Sequence, residues 1–117
     1  MTNTAIMLAN ALLEHHRAVC VPHEVRPPII RRCLITYGTL CREAGTPGLE
    51  RGIGKFLQEI AVWCAENGYP PLNPLVVNAD TGLPGESYDL APGCHVANWE
   101  TEAADCITCD HYPPQAT

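Results

Sequence analysis

The chain has 117 residues, 46% of them hydrophobic, and a formal net charge of −6. That length suits one domain with a modest core and excludes two full ones, and the apolar share is that of an ordinary soluble globular protein. No apolar run approaches the roughly 20 residues of a membrane span, and the N-terminus carries neither a basic n-region nor a continuous h-region, so a cytoplasmic protein is expected.

Charge is unevenly divided. All seven Lys and Arg lie between Arg17 and Lys55, so residues 1–55, with four acids, carry +3; residues 56–117 hold nine acids and no base. Such asymmetry marks either a solvated acidic face or an interaction surface. Seven cysteines is a high and odd number, and without a secretion signal it argues against a disulfide framework. Cys20, Cys33, Cys41 and Cys64 fall on apolar helix faces, where a free thiol packs as a small hydrophobe.

In chain order, residues 3–20 predict a helix: Ala5, Leu8, Ala9, Leu12, Leu13, His16 and Val19 recur at helical spacing, and Pro22 stops it. Residues 27–44 predict a second, opened by Pro27 and Pro28, with Ile30, Cys33, Leu34, Tyr37, Leu40 and Cys41 buried and Gly45 past its end. Thr46-Pro47 predicts the cap and first turn of a third, running to about Asn67. Gly48, Gly52 and Gly54 weaken its first half by roughly 1 kcal/mol each relative to alanine, so the helix either starts late or lets a partner backbone approach.

Tyr69–Tyr88 is different in kind. Leu75, Val76 and Val77 read as a short buried strand, preceded by prolines 70, 71 and 74 that cannot donate to a ladder. Asn78 to Gly82 is turn chemistry, Pro84-Gly85 adds a bend, and Ser87-Tyr88 is expected to return as a paired strand of a hairpin. Asn98 then caps a fourth helix whose apolar face is Trp99, Ala103, Cys106 and Ile107. The order predicts one α+β domain over residues 1–112, a three-helix bundle with a short hairpin and a fourth short helix, and a frayed tail at 113–117.

The run Pro-Pro-Leu-Asn-x-Leu-Val-Val-Asn-x-x-Thr-Gly-x-Pro-Gly-Glu-x-Tyr within residues 69–88 resembles a segment of small bacterial and prophage proteins, and also the wing of a winged helix-turn-helix. A weaker echo extends to Trp99 and Glu102. The resemblance implies shared structure and carries no catalytic residue across.

Five chemistries compete. Cys106-x-x-Cys109-x-His111 with Cys94 would give zinc four ligands of suitable type, against the reading that Cys106 packs inward and the others are surface residues. Thiol redox chemistry at Cys106 and Cys109 is disfavoured, because the pair sits at a helix end among acids, where a thiol pKa rises. Hydrolysis lacks its motifs: there is no Gly-x-Ser-x-Gly, His-Glu-x-x-His or phosphate loop, so an enzyme is not expected. A winged-helix DNA-binding regulator fits the predicted order, but the wing has no Lys or Arg to neutralise phosphate.

Protein binding fits best. By analogy, a small acidic domain resembling prophage proteins suits an inhibitor or adaptor acting on a larger host complex, as anti-CRISPR and other anti-defence proteins do. The expected contact residues are Asp80, Glu86, Tyr88, Asp89, Glu100, Glu102 and Asp105, with the acids steering a basic partner and Tyr69, Tyr88 or Trp99 as anchors.

Overall fold

The computed structural model describes residues 1–20 and 31–117, so the start of the second predicted helix lies outside the described residues. The apolar spacing of the first segment folds as a helix, α1 (Asn3–Val19), which buries Ala5, Leu8, Ala9, Leu12, Leu13 and His16. Thr2 starts it: its hydroxyl accepts the Ala5 N–H at 3.2 Å, satisfying one of the donors left open at a helix start.

The second predicted helix is interrupted. Residues 31–33 are helical, but Ile35–Thr36 are extended, here β1, and helix α2 restarts at Tyr37–Glu43. The cause is local. Ile35 and Thr36 are β-branched, and the Thr36 hydroxyl accepts the Thr39 N–H at 3.2 Å, so Thr36 serves as a cap and not as a helical residue.

The third predicted helix starts late. Thr46 closes α2 instead, its N–H donating to the Cys41 carbonyl at 2.8 Å. Gly48 then takes a left-handed φ of 85°, which no helix accommodates, and a 3₁₀ turn at Glu50–Gly52 leads into α3 (Ile53–Glu66). α1 and α3 pack on each other, and Leu8, Leu12, Leu13, Leu40, Ile60 and Leu72 are among the largest fully buried side chains of the core.

The expected hairpin and winged-helix order are not formed. Val76–Val77 is a strand, β2, but it pairs in parallel with β1, Ile35 opposite Val76 and Thr36 opposite Val77. Ser87 and Tyr88 do not return as a strand. Tyr88–Leu90 is a 3₁₀ turn, closed by N–H donation from Tyr88 to Gly85, Leu90 to Ser87 and Ala91 to Tyr88. A fold with this minimal parallel pair is predominantly helical, not an α+β bundle with a wing. Two parallel strands need a long crossover, and here α2, α3 and the turns between them supply it.

The last helix, α4 (Trp99–Thr108), buries Ala103, Cys106 and Ile107. Beyond it the chain returns along α1, where the segment read as a frayed tail makes specific contacts. Arg17 donates to the Pro114 carbonyl at 2.9 Å, the Ala116 N–H donates to the Asn10 side chain at 2.7 Å, and Ala116 is buried. Among the described residues no helix is long and apolar enough to cross a membrane.

Candidate functional site

The irregular segment between β2 and α4 carries most of the residues expected to bind a partner, and side chains hold it in shape. Asn78 opens the turn: its N–H donates to the Leu83 carbonyl at 2.8 Å, and its side-chain oxygen accepts the Asp80 N–H at 2.8 Å. Farther on, the Gly85 N–H donates to the Tyr37 hydroxyl of α2 at 2.7 Å. A β-carbon at Gly85 would lie 2.8 Å from that oxygen, so a larger residue there would displace the Tyr37 hydroxyl.

Glu102 of α4 is the centre of a clamp. One carboxylate oxygen accepts the Tyr88 hydroxyl at 2.6 Å and the His95 N–H at 2.9 Å, and the other lies 3.2 Å from the His95 ring Nδ1. Beside it the Asp89 carboxylate accepts the Val96 N–H at 2.6 Å. Tyr88 is 5% exposed and packs with Ala61, Ala91, Cys94 and Trp99 in a cluster separate from the main core. Burial, and then its bond to the Glu102 carboxylate, push the Tyr88 phenol pKa well up, so it stays a donor at all physiological pH.

The seven expected contact residues therefore divide by role. Tyr88 and Glu102 are turned inward, with the Glu102 side chain 13% exposed, and they hydrogen-bond to each other beneath the loop. Asp89 is exposed but engaged with Val96. Asp80, Glu86, Glu100 and Asp105 are exposed, and among the described residues no Lys or Arg forms an ion pair with any carboxylate. Of the other aromatics, Trp99 is half-buried and donates its indole N–H to the Pro74 carbonyl at 2.9 Å, while Tyr69 packs against Trp63 and Tyr112.

The clamp has a sequence signal that apolar periodicity alone passes over. Glu102 falls between Trp99, Ala103 and Cys106 on one face of α4, and a carboxylate at the edge of a buried stripe requires donors. What the spacing does not reveal is that the donors come from Tyr88 and His95.

The four expected zinc ligands are not gathered at one point among the described residues. Cys94, 1% exposed, lies in the Tyr88 cluster with its thiol toward the Pro92 carbonyl, whereas Cys106 lies in the main core and accepts the Tyr112 hydroxyl at 3.3 Å. Cys109 and His111 approach each other, Sγ to Nδ1 at 3.5 Å, but among the described residues no three His, Cys, Asp or Glu side chains converge on one point. Burial pushes the Cys94 thiol up to about 12 and the Cys106 thiol well above its usual value, so both are neutral packed thiols in the metal-free chain. All seven cysteines are unpaired and buried, Cys94 and Cys109 included, so the surface reading of those two also gives way to packing.

Compared with known proteins, the chain matches no family model, no curated protein and no solved structure.

Proposed function

We propose that this chain is a small acidic protein-binding module that docks on a basic surface of a larger protein, as an inhibitor or adaptor. The resemblance of residues 69–88 to prophage proteins makes a bacterial host complex, of the kind anti-CRISPR and other anti-defence proteins act on, the target in view. One observation carries the reading: Asp80, Glu86 and Glu100 stand exposed and form no ion pair with a Lys or Arg among the described residues, around a loop fixed from beneath by Tyr88, Glu102 and Tyr37. A loop ordered before binding loses less conformational entropy on docking, and unpaired like charges attract an opposite surface at long range. The DNA-binding alternative loses its premise with the wing.

The test is capture from a host bacterial extract on immobilised wild-type protein, alongside a variant with Asp80→Lys, Glu86→Lys and Glu100→Lys. Asp89 is left intact because its carboxylate holds Val96. A partner retained by the wild type and lost by the triple variant is expected. Retention by the triple variant, with loss on Arg31→Ala and Arg42→Ala, would place the contact on the basic half instead.

A further inference from the structure

A groove of about 660 Å³ runs along the outer face of α3. Val62 and Trp63 form part of one wall, and Leu90 and Pro92, at the end of the clamped loop, form part of the other. Val62 is 43% and Leu90 69% exposed, the latter the most exposed large apolar side chain among the described residues. Neither is loose. Val62 is on a regular helix, and Leu90 ends the 3₁₀ turn that begins at the buried Tyr88. Glu59 on the α3 wall is fixed as well, accepting the Thr2 N–H at 2.8 Å and the Thr2 hydroxyl at 3.0 Å.

Charge selects the occupant. Glu59 and Glu66 line the groove, Asp89 adjoins Leu90, and Lys55 is the only basic side chain lining it among the described residues, with Met1 and Thr117 also on its wall. From residue 56 to the end the chain has no Lys or Arg. An acidic apolar occupant would be repelled, and a purely basic one would leave Val62 and Leu90 uncovered. We infer that the groove takes a basic amphipathic segment of the partner protein, its apolar side chains against Val62 and Leu90 and its Lys or Arg against Glu66 and Asp89. This rests on the protein-binding reading above and adds an apolar anchor to it.

The probes are two short peptides, one of leucine and lysine at helical spacing and one of lysine alone, titrated by calorimetry and by amide chemical shift. The leucine-lysine peptide is expected to bind more tightly, with shifts centred on Val62, Glu66 and Leu90. Val62→Ser with Leu90→Ser should weaken it about tenfold or more, and Leu83→Ser, on another exposed apolar residue, should not. Both targeted side chains are exposed, so the variant keeps its fold. Equal binding of the two peptides, or an unchanged affinity in the double variant, overturns the groove assignment and leaves the acidic-face reading standing. Failure of both peptides to bind removes both. Self-association of the protein alone, abolished by the double variant, would give the groove to a second copy and equally overturn the proposal.

Discussion

The α1–α3 pair and the segment from Asn78 to Asn98 are ordered by different means. The helices are held by apolar stripes with a regular period, so any one residue has neighbours doing the same job. The segment has almost no regular structure, and its shape depends on single donors and acceptors far apart in the chain, Gly85 with Tyr37 and Tyr88 with Glu102. Order of the first kind tolerates small changes and answers to volume. Order of the second kind answers to one atom at a time.

The largest expected effect lies in the helices. Leu12→Ala removes a fully buried side chain and should cost about 2–5 kcal/mol of unfolding free energy, read by chemical denaturation. Glu102→Ala should cost less, about 2 kcal/mol, because it leaves the Tyr88 hydroxyl and the His95 N–H without their acceptor. The comparison sharpens in hydrogen exchange. Leu12→Ala should raise exchange throughout the molecule, and Glu102→Ala mainly between Tyr88 and Asn98.

A smaller effect concerns pH. His16 is buried, donates to the Cys106 carbonyl at 2.9 Å and meets the edge of Tyr112, and burial lowers its pKa below the usual 6.5. The unfolded chain then binds a proton that the folded chain resists. Stability is full above about pH 6.5 and falls as pH drops below it, and His16→Gln should flatten that slope. The smallest effect is on the exposed acids: Asp80→Lys with Glu86→Lys should move stability by less than about 0.5 kcal/mol while slowing association with a basic partner.

This division explains what could be read in the residues themselves. α1 follows from its spacing, and so does the buried face of α4, because period and burial coincide there. The break at Ile35–Thr36 is hidden within an apolar stripe that runs on at helical spacing through Tyr37 to Cys41, and only the capping reach of Thr36 to Thr39 betrays it. Parallel pairing of Val76–Val77 with residues some forty positions earlier has no local signal, whereas a hairpin does, which is why the hairpin looked right and was not. At the site, the exposure of Asp80, Glu86 and Glu100 follows from turn and helix-surface chemistry. The inward turn of Tyr88 and Glu102 depends on a pairing across fourteen residues that neither residue announces alone.

The central claim is that the acidic loop is a preformed surface, and amide hydrogen exchange on the free protein tests it most directly. The N–H groups of Gly85, His95 and Val96 make no helix or ladder hydrogen bond, yet each donates to a side chain, that of Tyr37, Glu102 and Asp89 in turn. They should be protected to a degree comparable with amides inside α3, and Glu102→Ala should release His95 first. Exchange of all three at the rate of an unstructured peptide in the wild type would contradict the account.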